Sequence, residues 1–111
     1  MGKEVKDMEK LIQKRGETLI VNIPKEVDHC FADSVREVID RRLQTEEVNF
    51  LEFDFHETEF MDSSGIGLLM GRYKLMKALG GNLCISHAGE RIFKILMLSG
   101  IHKIIPIEKE M

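Results

Sequence analysis

The chain has 111 residues, 43% of them apolar and 32% charged, which fits one folded domain with a modest core and excludes a disordered polymer. Its formal net charge is -3 with Lys and Arg scattered, so it lacks the basic face that nucleic acid requires. No apolar run approaches a membrane span and the charged N-terminus is not a signal peptide, so a cytoplasmic protein is expected.

Met8 to Arg15 is a weak strand candidate, and Gly16 marks a turn. Thr18 to Ile23 alternates, with Leu19, Val21 and Ile23 on one face, so the two segments predict a hairpin. Pro24 ends the ladder because it has no N–H to donate. Asp28 is placed to cap a helix in which Phe31, Val35, Val38, Ile39 and Leu43 recur at helical spacing. Asp33, Arg36, Glu37, Asp40 and Arg41 are then expected to face water. Gln44 to Glu47 is a polar connection, and Val48 to Phe55 reads as a buried strand.

Next comes Phe60-Met61-Asp62-Ser63-Ser64-Gly65-Ile66-Gly67. A second helix follows, with an apolar stripe at Ile66, Leu69, Met70, Tyr73, Met76 and Leu79, and Gly80-Gly81 stops it. Asn82 to Ser86 is a short strand. Ala88-Gly89-Glu90 opens a third helix with apolar positions at Ile92, Phe93, Ile95, Leu96 and Leu98, and Gly100 ends it. Ile104 to Ile107 reads as a last strand, placed at a sheet edge by Pro106. The last residues, Glu108 to Met111, are expected to fray.

The order is β-β-α-β-α-β-α-β. It predicts a single α/β domain over residues 1–111: a mixed, mostly parallel sheet with an N-terminal hairpin and helices packed on it. Cys30 and Cys84 have no spacing for zinc or a redox pair and are expected as buried free thiols of a reducing compartment.

The stretch around Ser63 stands where a helix begins. Its backbone N–H groups have no intrahelical partner, and the helix dipole makes that end partly positive. Asp and Ser there are ordinary capping signals. One helix start needs one cap, however, and here two hydroxyls stand in tandem behind an aspartate. Gly65 and Gly67 leave the serines uncrowded, which suits the approach of a partner or an enzyme. Asp28 and Asp62 each follow a strand, and the C-terminal rim of a parallel sheet is where ligands bind.

Catalytic alternatives find little support. The nucleophile-elbow pattern is absent, and no base is marked for Ser63 or Ser64. His29, His56, His87 and His102 are dispersed without zinc-motif spacing. Gly65-x-Gly67 lacks the rest of a dinucleotide fingerprint, and no phosphate loop is present. Met61, Met70, Met76 and Met97 read as core filler, or as partner surface where exposed near Ser63.

The Asp62-Ser63-Ser64-Gly65 segment with its flanks resembles the signature of STAS-domain anti-sigma factor antagonists, most like the sporulation sigma-F type. Gly71-Arg72-Tyr73-Lys74 through Gly80-Gly81, Phe93 through Ile105, and Glu26-Val27-Asp28-His29 are similar to further elements of that family. The resemblance implies that the unphosphorylated protein binds an anti-sigma factor that is also a serine kinase, freeing the sigma factor. The kinase, which binds ATP and magnesium, then phosphorylates the antagonist, and a serine phosphatase resets it. By motif position it implies Ser63 as acceptor, with Asp28, Asp62, Ser64 and Gly65 at the partner surface and no catalytic residue, metal or cofactor in this chain. Pro24-Lys25, Cys30-Phe31 and Thr58 depart from the family pattern, and Lys25 is a candidate to meet a phosphate on Ser63. Alternatives are a STAS domain of a stress-sigma pathway, a small-ligand or nucleotide-binding STAS domain, and a small hydrolase or transferase using Ser63.

Overall fold

The computed structural model describes residues 7–109. Alternating apolar residues form the predicted hairpin: β1 (Ile12–Arg15) pairs antiparallel with β2 (Thr18–Asn22), turning at Gly16, whose φ is +60°. The predicted strand shortens at its N-terminal end, where Leu11 N–H closes a turn on Met8 O at 3.0 Å. After β2 the chain forms β3 (Glu26–Val27), α1 (His29–Thr45), β4 (Phe50–Asp54), β5 (Phe60–Met61) and α2 (Ser63–Ala78). It ends with β6 (Asn82–Ala88), α3 (Glu90–Ser99), a 3-10 turn (Ile101–Lys103) and β7 (Ile107–Lys109).

The main sheet runs β1-β2-β4-β6-β7, and every pairing except β1 with β2 is parallel. This is the predicted single α/β domain with a mixed, mostly parallel sheet. Along β4, Leu51 and Phe53 are fully buried, while Phe50, Glu52 and Asp54 alternate onto a more open face. One face of the sheet therefore carries the helices and the core, as period-two alternation requires. Val35, Val38, Ile39 and Leu43 of α1 and Ile92 and Leu96 of α3 are buried as the helical spacing predicts.

Several expectations are corrected. The last strand starts later, because Ile101–Lys103 turns and Ile105 N–H bonds back to Ile101 O at 2.9 Å. Of the residues expected to fray, Glu108 and Lys109 belong to β7; the remaining two lie outside the described residues. Leu79 and Leu98 follow the helical period but are exposed, Leu98 at 89%. Leu79 is the C-cap of α2 and Leu98 sits in the last turn of α3, both beyond the packing surface. The buried face of α2 is Gly65, Leu68, Leu69, Arg72 and Met76, with Ile66, Met70 and Tyr73 of the predicted stripe half-buried against the core. Asp40 is half-buried instead of fully solvated; its Oδ1 lies 2.8 Å from Arg72 Nε across the α1–α2 contact.

The cysteines also divide. Cys30 is exposed in the first turn of α1, because the helix begins at the rim and its partner-free side faces out. Cys84 is half-buried on β6, and burial, then the charges of Glu52 and Glu108, raise its pKa. A thiol reagent at neutral pH is expected to titrate Cys30 quickly and Cys84 much more slowly. Following colour release from the wild type and Cys30→Ser checks this, since the fast phase disappears in the variant.

Candidate functional site: paired helix starts on a two-stranded rim

Two strands too short to show a period in sequence build the site. β3 and β5 form a separate parallel pair, with Glu26 opposite Phe60 and Val27 opposite Met61. Glu59 and Phe60 N–H both reach Lys25 O, at 2.8 and 3.1 Å, and Asp62 N–H reaches Val27 O at 3.2 Å. Thr58, buried, anchors the approach through Oγ1 to Ile23 O at 3.1 Å. Its hydroxyl is thus buried without leaving a polar group unpaired.

Because Val27 and Met61 are partners, the residues after them are neighbours in the fold: Asp28 starts α1 and Asp62 starts α2. Each aspartate is an N-cap. Asp28 Oδ1 accepts from Phe31 N–H at 2.9 Å, and Asp62 Oδ1 accepts from Ser64 N–H at 2.8 Å. The predicted cap at Asp28 holds. At α2 the cap is Asp62, so neither serine is needed for it. Asp62→Ala is expected to lower stability by about 1 kcal/mol, measurable as a lower urea midpoint at unchanged slope.

Ser63 is the first helical residue and is exposed; its hydroxyl has no hydrogen-bond partner among the described residues. Ser64 is half-buried. Gly65 is buried, with its N–H on Asp62 O at 3.0 Å, and a Cβ there would overlap the Met61 side chain. The bareness of Gly65 therefore serves packing of α2 on β5, whereas Gly67 is exposed with open space around it. Lys25 pairs with Glu59 at 3.6 Å, both side chains well exposed.

The sequence reading missed Phe60. It is 51% exposed on the rim, while its neighbour Met61 is buried. In-and-out alternation across Phe60-Met61 was the available signal, too short to be decisive. No histidine contacts Ser63 among the described residues: His29 pairs with Asp33 at 3.3 Å, and His87 with Asp54 at 3.2 Å. The site thus presents an exposed hydroxyl, an aromatic side chain and two capping carboxylates at two adjacent helix N-termini.

The STAS domain family matches residues 9–111, and the chain belongs to it. The chain is 36% identical over 89 residues to the anti-sigma F factor antagonist of Paenibacillus polymyxa, covering 80% of this chain and 76% of that protein. It is 31% identical over 87 residues to the anti-sigma-B factor antagonist of Bacillus subtilis (strain 168), covering 78% of each. Among solved structures it is similar to unphosphorylated SpoIIAA, an anti-sigma factor antagonist, with TM-score 0.79 and 25% identity over 86% of this chain and 84% of that one. The phosphorylated form of the Bacillus cell fate determinant SpoIIAA matches with TM-score 0.71 and 25% identity, over 86% and 87% of the two chains. No helix among the described residues is long and apolar enough to cross a membrane.

Proposed function

We propose that this chain is an anti-sigma factor antagonist switched by phosphorylation of Ser63. The unphosphorylated rim binds an anti-sigma factor that is also a serine kinase, and so releases the sigma factor. Phosphorylation ends the binding, and a serine phosphatase restores it. The chain acts as a cytoplasmic binding module and uses no cofactor of its own; ATP and magnesium are held by the kinase. The observation that carries this reading is the exposed hydroxyl of Ser63 at the start of α2, left out of the capping that Asp62 performs.

The physics of the switch is local. Phosphate adds about -1.5 to -2 charge at neutral pH. The N–H groups of the first turn of α2 can receive that charge within the chain. The Asp62 carboxylate belongs to the preceding residue, and the Asp28 carboxylate caps the neighbouring helix. A partner surface shaped around a neutral hydroxyl then meets added bulk and repulsion. Each 1.4 kcal/mol of that mismatch changes affinity about tenfold. Phe60 supplies the apolar anchor, and Ser64 and Gly65 shape the turn beneath it.

Calorimetric titration of the anti-sigma factor tests the binding half. Phe60→Ala is expected to weaken binding by about tenfold or more, as loss of a central aromatic contact does. Ser63→Asp is expected to weaken it further than Ser63→Ala. Unchanged affinity in both Phe60→Ala and Ser63→Asp would place the interface elsewhere. Relatives of both the sigma-F and sigma-B type occur, so parallel titrations with the two kinds of anti-sigma factor separate the pathways.

A further inference from the structure

The open face of the sheet carries a second constellation, remote in sequence from the signature. Glu52 and Asp54 stand two residues apart on β4 and so share one face. His87 belongs to the neighbouring strand β6, where the register with β7 shifts between Ile85 and Ala88. Its φ is 54°, a left-handed value, and its ring lies over β4 with Nδ1 3.2 Å from Asp54 Oδ1. One ligand atom from each of Glu52, Asp54 and His87 lies within 4.8 Å of the others. Two ligand atoms on one tetrahedral zinc stand about 3.4 Å apart, so side-chain rotations that move the atoms by about 1.5 Å close the set.

The surroundings are ordered as metal ligands usually are. Ser86 Oγ–H donates to Glu52 Oε2 at 2.7 Å, and His56 N–H donates to Asp54 Oδ1 at 2.9 Å. Each carboxylate is thereby oriented while its second oxygen stays available. His87 Nε2 faces Glu108 Oε1 at 4.0 Å, so a cation on Nδ1 would have a carboxylate behind the imidazole. No Lys or Arg pairs with Glu52 or Asp54 among the described residues, so this negative charge lacks a basic counterion. The ring of His56 stands edge-on to that of His87, with centroids 6.2 Å apart. An open cavity of about 290 Å³, lined by Asp54, His56, Glu57 and His87, leaves room for water to complete the coordination.

The geometry points to a divalent transition-cation site, of the zinc class, formed by Glu52, Asp54 and His87. Two carboxylates and one imidazole suit such an ion better than calcium or magnesium, which prefer all-oxygen shells. Spacing in the sequence could not show it, because parallel pairing of β4 with β6 is what joins residues more than thirty positions apart. The cation would fasten the ends of β4 and β6 next to the loop that leads through Thr58 to the Ser63 rim.

The test is calorimetric titration of the full chain with zinc chloride in a non-chelating buffer, with thermal melts in parallel. The expected result is one zinc per chain and a melting temperature that rises with zinc and falls back with EDTA. Asp54→Asn and His87→Asn are each expected to weaken binding at least about tenfold. Asparagine is chosen at position 87 because it tolerates left-handed backbone. His29→Ala is the control for the exposed His29–Asp33 pair and is expected to change nothing. Should either asparagine variant lose its circular dichroism signal, Glu52→Gln and zinc-induced amide shifts in the wild type decide instead, with shifts confined to 52–57 and 84–88 expected. No zinc-dependent heat or stabilisation in the wild type would overturn the site. So would wild-type affinity in the folded variants, or a loss of binding in His29→Ala.

Discussion

Asp40→Ala is expected to lose about 3 kcal/mol of folding stability, because it leaves the Arg72 guanidinium buried without its counterion. Arg72 projects from α2, 7% exposed, and its Nε meets Asp40 Oδ1 of α1 at 2.8 Å. A second guanidinium nitrogen reaches Leu68 O at 3.4 Å. Burial raises the Asp40 pKa against the pull of Arg72 and Arg36, and burial lowers that of Arg72. Desolvation thus opposes both charged forms, and the pair's net worth is smaller than the loss on breaking it. With its pKa raised on folding, Asp40 favours the fold below the unfolded carboxyl range and loses that contribution as pH rises through its folded pKa. Urea unfolding of Asp40→Ala beside the double variant Asp40→Leu/Arg72→Met separates the two effects. The single change is expected to be severe and the double change to recover most of the loss. A single change costing under about 0.5 kcal/mol would mean that the pair behaves as a surface contact. The pair lies well below the rim: both helices start there, and each rises about 1.5 Å per residue from its capping aspartate. It therefore fixes how the two helix starts sit against each other.

Gly65→Ala is expected to destabilise by about 2 kcal/mol, the ordinary range for overpacking a tight contact. The same substitution at Gly67 is expected to stabilise by up to about 1 kcal/mol, the usual helix gain over glycine. The signs differ because of space. A Cβ on Gly65 would collide with the Met61 side chain and lie 3.4 Å from Val27 Cγ1, while one on Gly67 meets nothing within 4 Å. Met61 is 3% exposed and has little freedom to yield. Relief would come by lifting the start of α2 off β5, and Ser63 would move with it. Gly65→Ala is therefore expected to slow phosphoacceptance as well as lower the melting temperature. Gly67→Ala should leave phosphoacceptance alone. Equal stability changes in both variants would contradict the packing account.

The long elements were legible because their periods are long. Leu19, Val21 and Ile23 alternate, and Val35, Val38, Ile39 and Leu43 repeat at helical spacing, so each announces its buried face. The connectivity then required parallel pairing, and β2-β4-β6 follows it. What stayed hidden was carried by short or long-range contacts. β3 and β5 are two residues each, below any period, yet they bring Asp28 and Asp62 side by side. Arg72 and Asp40 look like solvated charges until two helices are packed together. Leu79 and Leu98 fit the helical stripe but fall at the C-terminal ends of their helices, beyond the core. Ser63 stood out as one of two tandem hydroxyls and through the family resemblance, but its freedom from capping depends on Asp62 taking the Ser64 N–H.

The most direct measurement is intact mass after incubation with an anti-sigma factor kinase and Mg-ATP, for the wild type, Ser63→Ala and Ser64→Ala. The account predicts a single phosphate on the wild type and on Ser64→Ala, and none on Ser63→Ala. A phosphate that persists in Ser63→Ala would contradict it, as would none on the wild type with a kinase proven active on another antagonist.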